Sequence, residues 1–428
     1  MSTFVENIDK LMIRVLLTIM FFLLPGMCCA QFTRSFSSDI RSPRMMLNDE
    51  WDAPAIMQLG SDDELRFTFD EMSHVYHRYV YRVSHRNADW SLSELFEIDY
   101  LDGFNNQPIE CWENSVNTTQ LYTSYEIVLP NENVSLKLSG NYRLEVFDDE
   151  ASDDTPVASF DFSVVEPHVK VSATVSGDTD LTLNESEQQL SFFVDYKGYS
   201  IPFSAGEIIP VVYQNRRADN VVYGVKPTHM TGDRLEYVHN NRLIFEAGNE
   251  YRRFELTDLD IPGMNVEEIV YSAPEYHALL YMDKIRRFHS NYQDEDGRYF
   301  INTLDGYGTP VEADYVYVHF ALEAPYREGG CYYLIGDMCG NVLAPQNRLD
   351  YDAVSGYYHT VQLLKLGVYN YMYLWVPDSG SGGTLEFSDG CFYDTENEYL
   401  IYIYRRAFGE RYDRLIGTCR VNYELEKN

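Results

Sequence analysis

Leu65-Arg66-Phe67-Thr68-Phe69 decides the fold. Leu65, Phe67 and Phe69 alternate with Arg66 and Thr68, so an extended chain puts three apolar side chains on one face and two polar ones on the other. Period two over a short run marks a half-buried antiparallel strand. The same rhythm returns at Tyr79–Val83, Tyr125–Leu129, Ser135–Leu138, Tyr142–Phe147 and Ala158–Val164. Gly, Asn, Asp and Pro punctuate these runs, as the turns of a β-sandwich require. The acidic, turn-rich stretch Asp148–Pro156 reads as a solvated hairpin loop, and Glu166-Pro167 ends this first block.

Further strands are expected at Val169–Val175, Leu190–Val194, Ile208–Tyr213, Arg234–Val238, Arg252–Leu256 and Val266–Tyr271, and then at Tyr315–Leu322, Cys331–Ile335, Tyr357–Leu363 and Tyr399–Tyr404. Gly380–Gly383 reads as a flexible tip. No stretch of useful length has helical period. The reading is an all-β chain of tandem antiparallel β-sandwich domains of immunoglobulin-like type: residues 31–167, 168–275 and 276–428. The length of 428 residues agrees, since domains run to about 100–200 residues each.

Composition excludes several function classes. Hydrophobic residues at 45% and charged residues at 23% rule out a disordered chain. Aromatics reach 15%, mostly 36 Tyr and 23 Phe, which favours strands over helices. A formal charge of −34 repels phosphate backbones and anionic lipid headgroups. Neither nucleic-acid binding nor direct membrane insertion is expected.

Residues 1–30 read as a signal peptide. Lys10 and Arg14 introduce an apolar run, Val15–Leu24, broken only by Thr18, and small residues lead to Cys28-Cys29-Ala30 before Gln31. The run is short for a bilayer span. Met27 and Pro25 occupy positions where a lipidation signal wants small and aliphatic residues. Five cysteines then remain: Cys111, Cys331, Cys339, Cys391 and Cys419. That excludes a disulfide-stapled miniature scaffold. Cys331 and Cys339 flank Gly336-Asp337, a spacing that allows one bridge across a turn.

Candidate chemistry is sparse. His74 and His77 sit three apart, so on a strand they point to opposite faces and do not share a metal ion. Asp294-Glu295-Asp296-Gly297 opens like a calcium loop but lacks the later bidentate Glu, and a tight turn fits it better. Pro377-Asp378-Ser379-Gly380 lacks the G-x-S-x-G pattern of a nucleophile turn. No cofactor, metal or catalytic residue is assigned, and the chain is read as a non-enzyme. Tyr332, Tyr333, Tyr369, Tyr371, Tyr373 and Trp375 form the one aromatic row worth testing. The series Tyr332–Asp337, Leu349–Asp352, Tyr357-Tyr358 and Leu366–Tyr373 looks like the strand order of starch-binding β-sandwich modules. An exposed row would stack on sugar rings, giving an exported carbohydrate-binding protein; the alternative is that these rings simply cover a sheet.

A second resemblance covers nearly the whole chain, from about Phe36 to Gly417. Asp89-Trp90, Tyr100-Leu101-Asp102-Gly103, Ser115-Val116-Asn117-Thr118, Tyr122, Tyr125, Leu129-Pro130-Asn131 and Ser139-Gly140-Asn141-Tyr142 occur in order. Gln214-Asn215, Gly248-Asn249-Glu250, Ala313-Asp314-Tyr315, Leu364-Lys365, Tyr369-Asn370-Tyr371, Thr395-Glu396-Asn397 and Arg411-Tyr412-Asp413 follow. Together these resemble the plug protein of the type IX secretion system of Bacteroidetes. Arg86 departs from the pattern, standing after His85 where the family tends to carry Cys. The resemblance implies a periplasmic protein at the inner face of the outer membrane. Its partner would be the large outer-membrane β-barrel translocon of that system, whose idle pore it blocks.

Overall fold

In a computed structural model, residues 33–201, 204–304, 311–380 and 382–423 are described. The expected signal peptide lies outside them, and so does Ser381 of the glycine-rich tip. Leu65, Phe67 and Phe69 face one way and are buried, inside the strand Leu65–Glu71. That strand sits in a sheet ordered Ile40–Leu47, Leu65–Glu71, Thr123–Leu129, Cys111–Asn114. The facing sheet is ordered Thr33–Ser35, Pro156–Val165, Gly140–Asp148, Tyr79–Arg86, Gln107–Pro108, with Ile56–Gln58 parallel to Pro156–Val165. Between them Phe67 meets Phe160 and Phe162 edge-on, with ring centroids 5.5 and 5.4 Å apart. This is a sandwich core of interdigitating inner faces.

A second sandwich packs Lys170–Ser176, Glu187–Asp195, Arg234–Tyr237 and His229–Thr231 against Val222–Tyr223, Ile208–Gln214, Asn397–Arg405 and Arg414–Tyr423. The third places Arg252–Leu256, Gly367–Pro377, Tyr299–Ile301 and Gly330–Ile335 against Val266–Ser272, Glu275–Leu280, Tyr315–Glu323, Tyr357–Lys365 and Asp350–Asp352. The architecture is therefore all-β and built of antiparallel sandwiches.

The division at 275/276 does not describe how the strands pair. Val266–Ser272 forms a hairpin with Glu275–Leu280 across it, and Arg252–Leu256 pairs with Gly367–Pro377. The last two strands leave the third sandwich: Asn397–Arg405 pairs with Ile208–Gln214 along its length and with Arg414–Tyr423 on its other side. The third sandwich is thus an insertion between strands of the second. Alternation reports which face of a strand is buried; it carries no information about the partner strand.

Gly140 shows how one backbone position fixes a core histidine. Its φ of +141° is open to glycine, and a Cβ there would collide with His85 Nε2. His85 is fully buried, its Nε2 lies 3.2 Å from the Ser139 carbonyl, and its Nδ1 has no partner. Burial pushes its pKa down to about 4. Between the ordinary histidine value near 6.5 and about 4, the unfolded chain takes up a proton that the folded chain refuses, so stability falls as pH falls. The loss amounts to about 3 kcal/mol. Urea-unfolding midpoints of wild type and His85→Gln, compared at neutral pH and near pH 4, should show a flatter pH dependence in the variant. Identical slopes would contradict this role for His85.

Candidate interaction surface

The aromatic row is where the structure departs most from the carbohydrate-binding expectation. Tyr332, Tyr369, Tyr371, Tyr373 and Trp375 are all buried, and only Tyr333 is half-exposed. Gly367–Pro377 is covered on both faces for most of its length. Tyr369, Tyr371, Tyr373 and Trp375 point into the core between the sheets of the third sandwich, while Met372 and Leu374 pack with Tyr251, Ile335 and Leu385. Their hydroxyls are held inside: Tyr371 and Tyr373 donate to Asp283 Oδ2 at 2.7 and 2.8 Å, and Tyr369 donates to the Lys365 carbonyl at 2.6 Å. A sugar ring has no face here to stack on.

The other sequence candidates are also structural. His74 Nε2 lies 3.0 Å from the Ser115 carbonyl and His77 Nδ1 lies 3.3 Å from Glu71, so each ring has its own partner. At 294–297 there is a turn: Asp294 Oδ1 accepts from the Asp296 backbone at 2.7 Å, and Gly297 has a φ of +81°. Pro377–Gly380 closes a turn through the Gly380 N–H to the Pro377 carbonyl at 2.9 Å. All five cysteines are free, including Cys331 and Cys339. Among the described residues, no group of three or more His, Cys, Asp or Glu is placed to hold a metal ion.

What sequence reasoning missed is a set of buried polar junctions locking the sandwiches together. Lys365 Nζ, in the third sandwich, lies 2.6 Å from Asp70 Oδ2 in the first, both side chains almost wholly buried. Tyr315 donates to the same oxygen at 2.5 Å, and the Tyr122 ring lies 4.2 Å from the ammonium. Burial lowers the Lys365 pKa from its ordinary value, against the opposing pull of Asp70. Asp314 accepts the backbone N–H groups of Thr119 and Gln120 at 2.6 and 3.0 Å. Between the second and third sandwiches, Arg298 Nη2 donates to both oxygens of fully buried Glu398, at 2.9 and 2.8 Å, and Arg420 closes on the same carboxylate. Burial opposes ionisation of Glu398, but Arg216, Arg298 and Arg420 outweigh it and hold the carboxyl below its usual range. The first and second sandwiches join through Trp90 Nε1 to Tyr213 Oη at 3.2 Å, Tyr404 Oη to Asn141 Oδ1 at 2.6 Å, and the Ala88 N–H to Asp413 at 2.9 Å. A trace of these junctions exists in the sequence. Lys365 sits between Leu364 and Leu366.

Among the exposed large apolar side chains, three fall in one short segment: Phe96, Ile98 and Phe104 are 73%, 78% and 76% exposed. Ile98 lies within the one-turn helix Glu97–Tyr100, with Phe96 before it and Phe104 after it, and side-chain bonds hold the segment from below. Glu97 accepts from the Asn105 backbone and side chain, both at 2.9 Å, and Asp99 pairs with Arg411 at 2.9 Å. The result is an apolar knob ringed by charge. No helix among the described residues is long and apolar enough to cross a membrane.

Residues 40–166, essentially the first sandwich, match the family described as type 9 secretion system plug protein 1st domain. Among solved structures, the chain is similar to a protein from Parabacteroides merdae ATCC 43184, described as hypothetical and determined at 2.30 Å. Identity is 38%, the TM-score is 0.90, and the match covers 92% of this chain and 100% of that one. A search of the curated proteins finds no match. With its first sandwich matched to the plug domain and a relative aligned across nearly its full length, the chain belongs to the type IX secretion system plug protein family.

Proposed function

We propose that this protein closes the idle pore of the outer-membrane β-barrel translocon of the type IX system by docking on its periplasmic mouth, as a folded stopper without catalytic activity. Family membership ties it to type IX secretion. The observation that carries the finer reading is the polar welding of the sandwiches. A body that obstructs a wide pore must resist deformation, and buried ion pairs such as Lys365–Asp70 and Arg298–Glu398 hold the sandwiches in fixed register. A charge of −34 suits a basic rim on the partner. The knob of Phe96, Ile98 and Phe104 supplies the few apolar anchors of a contact that must also release.

Affinity purification of the full chain through a C-terminal tag tests this reading. The outer-membrane barrel should co-purify at low salt and be recovered less well as salt rises, because contacts between exposed charges are screened. Changing Phe96 and Ile98 together to Asp should lower barrel recovery about tenfold or more while leaving the unfolding midpoint unchanged, as expected for anchors on a surface. Recovery of the tagged chain alone at every salt concentration would contradict the docking reading.

A further inference from the structure

A cleft opens where the three sandwiches meet, with a volume of about 920 Å³ and a smaller lobe of about 140 Å³ sharing Thr33, Pro43 and Tyr299. Its charge is opposite to that of the molecule. Arg34, Arg41, Arg44 and Arg216 line it, against the carboxylates Asp219 and Asp337. Both carboxylates are already engaged, Asp219 by Arg217 at 2.7 Å and Asp337 by Arg216 at 2.9 Å. Neither Arg41 nor Arg44 forms an ion pair among the described residues. In a chain of net charge −34, two guanidinium groups without carboxylates, Arg41 in the large part of the cleft and Arg44 in its smaller lobe, call for an outside counter-charge.

The unmet hydrogen-bonding groups say more about the ligand. Arg41 Nε and Arg216 Nε are buried donors without partners. Asn341 is about nine-tenths buried. Its Nδ2 donates to Asp337 at 2.8 Å, yet its Oδ1 has no donor. The cleft therefore wants acceptors and at least one N–H donor. Two edge strands, Thr33–Ser35 and Ile40–Leu47, run along it. Edge strands are templates for an added extended chain. Met45, Leu343 and Val361 supply apolar surface between the charges.

We propose that this cleft receives an extended, acidic segment of a partner protein, its carboxylates meeting Arg41 and Arg44 and its backbone lying along the first sandwich's edge. A peptide supplies carboxylates and N–H donors together along an extended backbone, whereas a fully ionised anion such as sulfate supplies only acceptors. The inference stands apart from pore blocking, because the acidic exterior and the basic cleft recruit partners of opposite charge.

The test is fluorescence anisotropy with the full mature chain and a labelled, end-blocked heptapeptide alternating glutamate with valine. Saturable binding is expected, weakening as salt rises from about 50 to about 200 mM. Substituting glutamine for glutamate in the peptide should weaken binding about tenfold or more, since charge-assisted hydrogen bonds are lost. The double variant Arg41→Gln/Arg44→Gln should lose affinity to a similar degree. The glutamate-versus-glutamine comparison uses wild-type protein alone, so it decides the matter even where the double variant folds poorly. Absence of saturable binding, or equal binding of both peptides, overturns the proposal. Saturable binding of inorganic phosphate with none of the peptide would give the cleft to a phosphate-bearing ligand and also overturn it.

Discussion

Lys365→Met should destabilise the protein by about 3–5 kcal/mol, the range measured when one partner of a buried ion pair is removed. Asp70 is the reason. Its carboxylate is buried in the seam between the first and third sandwiches, and Lys365 is its one ion-pair partner among the described residues. Tyr315 still donates a hydrogen bond, but a neutral donor does not cancel a charge taken out of water. A loss of that size is a third or more of the total stability of many domains. Pairing the change with Asp70→Asn removes the orphan charge and keeps an acceptor for Tyr315, so the double variant should recover most of the loss. Urea unfolding of the four proteins in this cycle provides the measurement. If the double variant is as unstable as the sum of the singles, the two residues are not coupled and the seam is not held by this pair.

Trp375→Ala should cost a similar amount, about 3–5 kcal/mol, because it opens a large cavity in a packed core. Trp375 lies edge-on to Tyr332, with centroids 4.9 Å apart, and Tyr332 in turn meets Tyr358 at 4.9 Å. Tyr373→Phe keeps its ring volume and should cost less, about 1.5–3 kcal/mol, for the hydroxyl bond to the Asp283 carboxylate. On a starch-containing native gel, the wild-type protein should migrate as it does without starch. Retardation of the wild type, abolished by Trp375→Ala with no change in unfolding midpoint, would restore the glycan-platform reading and refute the core assignment.

Leu65, Phe67 and Phe69 announced a half-buried strand, and Tyr315–Glu323 and Gly330–Ile335 fall within a residue of their expected bounds. Period-two patterning survives where a strand faces a core on one side only. The Tyr369, Tyr371, Tyr373 row obeyed the same rule, but alternation alone does not say whether the aromatic face looks inward or outward. Tyr carries both an apolar body and a polar tip, so a hydroxyl bound to Asp283 inside a core and one bound to water leave the same sequence trace. The insertion of the third sandwich between strands of the second was hidden for another reason. The pairing of Ile208–Gln214 with Asn397–Arg405 spans nearly two hundred residues, and nothing local encodes it. The seam charges were half-legible. Lys365 between two leucines breaks an apolar run, and a buried charge in such a place is paired, whereas Asp70 follows in the polar register of Arg66 and Thr68 and leaves no such trace. Their pairing with each other required the tertiary structure.

Whether a rigid stack of sandwiches stops a pore is measured most directly by the ionic conductance of the purified type IX barrel in a planar bilayer, with the protein added to the periplasmic side. The barrel alone should show a large conductance that falls to near baseline on addition and returns when high salt weakens the docking. A conductance unaltered by saturating protein, at low salt and with the barrel correctly oriented, would contradict pore blocking.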